Sequence, residues 1–332
     1  MKRLLVVIVV AAALWSGYWV VAMRGAKVGF EAWFAARRAE GWQAEYASLA
    51  VRGFPNRIDT TFERPALADP ETGLAWEAPF FQIFALSYKP NHIIAVWPGQ
   101  QRLSTPQAKF DIASADMRAS LVMAPQPRLP LERSNLVARA MAIEGPGGTT
   151  TLEGLQLALG RLEGAVEEYR IALNADGLTP PLPGGFTLRT GGRLPRRLDA
   201  LRADLSVGFD RPWDLTALEQ GRPQPRRIRV RLAEAKWGAL ELALAGELRI
   251  DAAGRPEGRL TVKARNWRDI VALIRAGGWL PEAWLGPVEE ALGLAAQLSG
   301  NVQSLDLPLD FADGGMSLGP IPLGAAPVLR LR

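Results

Sequence analysis

Residues 226–250 read RRIRVRLAEAKWGALELALAGELRI, and this stretch decides the fold class. Ile228, Val230 and Leu232 alternate with Arg229 and Arg231. Leu240, Leu242, Leu244, Leu248 and Ile250 alternate with Glu241, Glu247 and Arg249. Successive side chains of a strand point to opposite faces, so the spacing predicts strands with one apolar and one wet face. Leu201, Leu205 and Val207 begin the pattern, and Leu260 and Val262, beside Arg259 and Lys263, continue it. Asp251 to Gly254 reads as a turn, and connections this short pair neighbouring strands antiparallel.

Downstream, the period changes to helical twice. Asn266 is read as an N-cap with Asp269 near the positive helix end. Trp267, Ile270, Val271 and Ile274 form a stripe that Gly277-Gly278 stops. Gly286-Pro287 is read as the start of a second helix, over 287–299, with Val288, Ala291, Leu292 and Ala295 on one side. These stripes are expected to bury against the apolar sheet face. Val302 to Phe311 and Met316 to Leu318 are expected strands, with a hairpin turn at Gly314-Gly315 and a Gly/Pro-rich tail after them.

Upstream, Ile58, Thr60 and Phe62 oppose Arg57, Asp59 and Thr61. Phe80 to Leu86 and His92 to Trp97 lie between prolines. Leu136 to Ile143, Thr150 to Leu159 and Tyr169 to Leu173 complete the set, with a turn at Gly145-Pro146-Gly147-Gly148. The composition shift at Pro180-Pro181-Leu182-Pro183-Gly184-Gly185 marks an expected boundary between two β-rich halves.

The N-terminus differs in kind. Lys2 and Arg3 precede Leu4 to Met23, a run without charge. Twenty helical residues span about 30 Å, the hydrocarbon thickness of a bilayer. Ala11, Ala12 and Ala13 resemble a signal-peptide cleavage site, but the apolar run continues through Leu14, Trp15, Val20 and Val21, which favours a retained anchor. Trp15, Tyr18 and Trp19 suit the outer interface. Residues 24–41 read as a juxtamembrane helix with Val28, Ala32, Trp33, Ala35 and Ala36 on its apolar face. Lys2 and Arg3 favour the cytoplasm for the amino terminus, against a partial counterweight from Arg24 and Lys27. The expected layout is therefore an anchor at 1–23, a helix at 24–41, and β-rich halves at 42–183 and 184–332. The class is mainly β (α+β), with long curved antiparallel sheet. The expected location is the inner membrane, single-pass, with the body in the periplasm.

Composition removes several function classes. Of 332 residues, 48% are hydrophobic, enough for a core, and none is cysteine, so disulfides and thiolate sites are excluded. The formal charge is +5, but 34 acidic residues are interspersed with the basic ones. Arg226 to Arg231 reads as the solvated face of a strand, so no nucleic-acid partner is expected. The one histidine, His92, rules out two-histidine metal centres. No nucleophile elbow accompanies it, and a structural role at a strand end is expected. Glu167-Glu168 and Glu289-Glu290 are adjacent pairs, which do not face one another. Gly145 to Thr149 lacks the lysine of a phosphate loop. No catalytic residue, metal or cofactor is expected. Of eleven tryptophans, Trp76, Trp97, Trp213, Trp237, Trp267, Trp279 and Trp284 are read as core groups rather than sugar-stacking ones.

Gly53-Phe54-Pro55-Asn56-Arg57, Trp76-Glu77-Ala78-Pro79 and Tyr88-Lys89-Pro90-Asn91-His92-Ile93-Ile94-Ala95 carry a resemblance. So do Gly314 and Leu318-Gly319-Pro320-Ile321-Pro322-Leu323-Gly324. On these residues the chain resembles the bacterial domain of unknown function 2125 family. That implies an alphaproteobacterial envelope protein and brings no catalytic residues. The C-terminal third, with its alternating strands, is similar to AsmA-like envelope proteins, which implies an anchored sheet that carries lipid. Three readings are open: a protein handling lipid or glycolipid in an apolar groove, an anchored scaffold for other envelope proteins, and a glycan-acting enzyme. An open apolar face favours the first, and a face plugged by the two helices favours the second.

Overall fold

The computed structural model describes residues 1–181, 194–219, 221–277, 282–298, 303–319 and 321–331. They form two compact units. The first is Met1–Pro125 with Ser134–Gly147, and the second is Gln126–Arg133 with Gly148–Arg332. The expected boundary at 183/184 falls between two strands of the second unit that pair directly, and Leu182–Gly185 lie outside the described residues. Within the described residues, the chain last passes from the first unit to the second at Gly147.

The first unit opens with α1 (Lys2–Ala39), one continuous helix through the expected anchor and the expected juxtamembrane segment. Its strands are β1 (Gln43–Glu45), β2 (Ser48–Arg52), β3 (Arg57–Glu63), β4 (Ala66–Asp69), β5 (Leu74–Glu77), β6 (Phe80–Leu86), β7 (Lys89–Val96), β8 (Gln100–Ser104), β9 (Lys109–Ala113) and β10 (Asp116–Met123). β11 (Leu131–Gly145) begins in the second unit and ends in the first. The pairings are antiparallel and run in two series, β2-β3-β6-β7-β10 and β1-β4-β5-β8-β9-β11.

Ile58, Thr60 and Phe62 of β3 are buried, as their alternation predicts. Phe62 and Ala44 meet Phe34 of α1 in one core, with Phe30, Tyr46, Leu67 and Phe81 packed around it. The rings of Phe30 and Phe62 meet edge-on at 5.2 Å, and those of Phe34 and Tyr46 at 4.8 Å. The inward face of α1 is therefore aromatic. The expected face is displaced: Val28 is 61% exposed and Trp33 39%. The sheet meets the side of the helix that carries Phe30 and Phe34, whose rings pack on Phe62 and Tyr46, so Phe34 is buried, Phe30 half-buried and Trp33 exposed.

The second unit is a meander. β12 (Gly148–Arg161), β13 (Glu168–Asp176), β14 (Ala200–Phe209), β15 (Pro225–Trp237), β16 (Leu240–Ile250), β17 (Pro256–Arg265), β18 (Ser304–Ala312), β19 (Gly315–Leu318) and β20 (Ile321–Ala325) pair antiparallel in chain order. α2 (Thr216–Glu219) lies between β14 and β15. α3 (Arg268–Gly277) and α4 (Glu282–Leu298) lie between β17 and β18.

Several local expectations change. A bulge between Val230 and Ala233 puts Leu232 opposite Asp204 on the wet face, 42% exposed. One extra residue inverts every side chain after it, which periodicity alone does not reveal. Asn266, the expected N-cap, lies two residues before α3. It has φ 53° and its Nδ2 donates to the Ala239 carbonyl at 2.6 Å. α4 begins before Pro287, which stands inside it. The closing tail adds β20, against the β19 edge, where its Pro322 needs no ladder donor on its outer side. Asp313 and Gly314 both have positive φ, as the two-residue hairpin turn requires.

The two faces of this sheet are distinct. On the wet face ion pairs cross from strand to strand: Arg229 with Glu247 at 3.0 Å, Arg265 with Glu241 at 3.2 Å, Lys263 with Asp306 at 3.3 Å. Asp204 joins two arginines of neighbouring strands. It accepts from Arg170 Nε at 2.9 Å and Nη2 at 2.7 Å, and from Arg231 Nη2 at 2.7 Å. The Arg170 hydrogen bonds, with the charges of Arg170 and Arg231, hold its carboxyl below the usual carboxylate range. A pKa depressed by folding adds stability above the unfolded value, lost as pH falls through the folded one. Asp204→Asn is expected to cost about 1 kcal/mol at neutral pH, the scale of a networked surface pair. Urea midpoints of variant and parent should differ at neutral pH and converge in acid; a gap that persists in acid would assign the loss to packing instead.

The apolar face is covered at both ends. At one, Trp267, Val271, Leu292 and Ala296 pack on Ala264 and Leu305. At the other, Leu329 and Ala326 of the tail pack against Leu248, Ile250, Leu260 and Phe311. Tyr169, Val207 and Phe209 form a further cluster with Trp213, and the Tyr169 hydroxyl donates to the Leu131 carbonyl at 3.3 Å. Trp279 and the side chains of Ile274, Trp284, Val288 and Ala295 lie outside the described residues.

Candidate functional site

The sites predicted from the sequence lie on α1. Its 38 residues extend about 57 Å, nearly twice the hydrocarbon thickness of a bilayer. It is the one helix, among the described residues, long and apolar enough to cross a membrane. From Leu4, 65% exposed, to Leu14, 71% exposed, the helix leaves its large apolar side chains open. Met23, the expected outer end of the anchor, is half-buried.

Contact with the body begins at Trp15. Its Nε1 donates to the Pro55 carbonyl at 3.0 Å, the Tyr18 hydroxyl to the Ser87 carbonyl at 2.6 Å, and Trp19 Nε1 to the Arg57 carbonyl at 2.7 Å. The three rings expected at the interface dock two tight connections of the body onto the helix. One connection is the β2–β3 loop, Gly53 to Asn56, and the other is Ser87-Tyr88, between β6 and β7. Gly53 has φ 109°, and a Cβ there would lie 2.8 Å from the Arg57 carbonyl oxygen, so only glycine turns the chain this tightly. The Arg57 N–H donates back to the Gly53 carbonyl at 2.8 Å and closes the loop. Phe54 meets Trp19 edge-on at 5.3 Å yet remains 57% exposed, and Tyr88 is 63% exposed. Sequence reading missed these two as site residues. The signal was available in Gly53-Phe54-Pro55, a turn that carries a large ring where turns are ordinarily polar.

The second candidate is the β12–β14 part of the apolar face in the second unit. Leu155, Leu157 and Leu159 of β12 lie opposite Ala175, Leu173 and Ile171 of β13. Leu173 and Ala175 in turn oppose Ala203 and Leu201 of β14. These residues continue the apolar face beyond the part that α3, α4 and the tail cover. Leu157 is 39% exposed, and Leu155, Leu173 and Leu201 are half-buried.

Elsewhere, among the described residues, polar side chains meet as arginine–carboxylate pairs. His92 sits within β7, opposite Val122 of β10. Glu167 and Glu168 line an open concavity of about 420 Å³ with Arg226, Arg227 and Arg249. Arg227 lies 4.0 Å from Glu168 and 3.4 Å from Glu247, and Arg226 lies 3.5 Å from Asp210. Among the described residues, no three His, Asp or Glu side chains group as metal ligands would.

No curated protein and no solved structure matches the chain. A family model does, over residues 19–327, from the docking tryptophan Trp19 to the tail that closes the sheet. The chain belongs to that family, DUF2125, described as an uncharacterized protein conserved in bacteria.

Proposed function

We propose that this is a non-catalytic protein of the bacterial envelope. It is held in the inner membrane by α1 with its body in the periplasm, and it binds the acyl part of a lipid or glycolipid on the apolar face of the second unit. The observation that carries this reading is the β12–β14 part of that face. An apolar row that its own helices leave half-covered is where an acyl chain gains most, at about 0.8 kcal/mol per buried methylene. Lys2 and Arg3 before the anchor support export of the body. The paired arginines of the wet face speak for no nucleic acid.

The full chain, extracted in mild detergent, should carry co-purifying lipid in native mass spectrometry. Leu157→Asp should strip most of it while leaving the fold, because Leu157 is 39% exposed and its replacement opens no cavity. A parent chain that arrives lipid-free would sink the proposal. That result would favour the anchored scaffold, for which the helices packed on Ala264 and Leu305 are the supporting observation.

A further inference from the structure

The first unit joins a membrane helix to a β-body at a point where the two cannot be apart. Leu4 to Trp15 is about 17 Å of helix, little more than half a bilayer's hydrocarbon core. Yet at Trp15 the helix is already hydrogen-bonded to Pro55. If the apolar run from Leu4 to Met23 crosses the bilayer, the loops that dock at Trp15, Tyr18 and Trp19 occupy the outer leaflet's depth. We infer that the connections Gly53–Asn56 and Ser87-Tyr88 are inserted in the outer leaflet, up to its membrane–water interface, beside α1, so that lipid surrounds the tip of the first unit.

Three further observations agree with that placement. The first is direction. Pro55 pairs with Trp15 and Arg57 with Trp19, so the β2–β3 loop points its tip down the helix toward the bilayer centre. The far end of α1 packs along the same strand, Phe30 and Phe34 against Phe62. The second is satisfaction of the backbone. Irregular backbone at membrane depth needs partners for its carbonyls, since lipid tails supply none. The carbonyls of Pro55, Arg57 and Ser87 each accept from an indole or phenol donor of α1. The third is side-chain type. Phe54 and Tyr88 stand more than half exposed beside Trp15 and Tyr18, at 37% and 45%. Together they make the aromatic belt expected at an interface. Arg57, its guanidinium 5.3 Å above the Phe84 ring, and exposed Lys89 come after these rings, at the level where headgroup phosphates would meet them. The first unit is thereby a monotopic surface as well as a tethered one, and its orientation to the membrane is set by two loops and a helix. This inference rests on α1 crossing the membrane and is independent of lipid binding in the second unit.

The chain has no cysteine, so single-cysteine variants carry a label at one place only. Phe54→Cys, Tyr88→Cys, Val10→Cys and Leu74→Cys of the full chain are labelled with a polarity-sensitive dye. They are then reconstituted in phosphatidylethanolamine–phosphatidylglycerol vesicles containing nitroxide lipids. Leu74 is the aqueous control. It is an exposed apolar residue at the first position of β5, next to the β4–β5 connection, whose Pro70 would lie 4.0 Å from a Cβ at Gly41, beyond the far end of α1. Dyes at 54 and 88 should be blue-shifted and quenched by nitroxides near the headgroup, and the dye at 74 should be neither. If 54 and 88 behave as 74 does while 10 is quenched by tail nitroxides, the inference is overturned and the anchor stands. If 10 is also unquenched, the anchor reading fails and the inference with it. The two test positions lie on separate loops, so a local fault in one variant leaves the other to decide.

Discussion

Trp267→Ala is expected to destabilise the second unit by about 3–5 kcal/mol, the range for a large ring removed from a packed core. Trp267 is fully buried. It stands just before α3, and its ring lies among Ala264 of β17, Val271 of α3, Leu292 and Ala296 of α4, and Leu305 of β18. The guanidinium of Arg268 lies 4.6 Å from the ring centre and closes its outer side. One side chain thus joins two helices to two strands. Alanine would leave a cavity that no neighbour can fill without moving a helix, so transfer and cavity costs add. Denaturant unfolding followed by far-ultraviolet circular dichroism would measure the change, and hydrogen exchange should show α3 and α4 losing protection first. Trp33→Ala, at a ring 39% exposed, is the comparison and should cost far less. A loss at Trp267 no larger than at Trp33 would mean that the helices are not held against the sheet as described.

Gly246→Ala is expected to cost about 3 kcal/mol, at the upper end of what a strained backbone site exacts. Gly246 sits mid-strand in β16, where glycine is ordinarily a weakness. Its φ is 146°, and a Cβ would lie 2.4 Å from the Arg259 carbonyl oxygen and 2.8 Å from Leu260 Cα. Both obstacles are backbone, so the strand pair itself must part. Gly246 faces Leu260 across the β16–β17 ladder and Val230 on the other side, next to the β15 bulge. The site is therefore a close approach of backbone next to an irregular register. The midpoint of chemical unfolding should fall, and exchange protection should be lost across β15 to β17. Gly160→Ala in β12, where a Cβ meets nothing within 4 Å, is the control and should be near neutral. An unchanged midpoint for Gly246→Ala would place the glycine's role outside the folded state.

Much of this fold was legible because burial tracks strand period. β16 shows it best: Leu240, Leu248 and Ile250 are buried, and Glu241 and Glu247 carry ion pairs on the other side. β8 shows where legibility ends. Its buried residue is Gln101, an amide that reads as surface. Gln101 Oε1 accepts from Trp76 Nε1 at 2.7 Å, and its Nε2 lies 3.2 Å from the Met117 sulfur. A polar group is buried when its partners are in place, and those partners are distant in sequence. Leu232 is the converse case, a leucine in perfect alternation that a bulge turns to solvent.

The candidate sites divide in the same way. The long apolar helix was legible in its residues, since length and absence of charge are properties of a contiguous run. Trp15, Tyr18 and Trp19 could be recognised as amphipathic rings, but not as donors to particular carbonyls. Phe54 and Tyr88 were parts of motifs whose role the motifs did not state.

By itself, the sequence determined the membrane-length helix, the antiparallel meander with one charged and one apolar face, and the absence of thiol and two-histidine chemistry. Each comes from local period or composition, which act along the chain and need no knowledge of what meets what. Only the tertiary structure decided that α1 runs unbroken into the first unit, that Phe30 and Phe34 are its buried face, and that two loops dock beside the anchor. It alone decided how much of the apolar sheet the helices and tail cover. Those outcomes depend on which distant surfaces fit, and fit is settled by volumes, registers and hydrogen-bond partners that come together only when the chain has folded.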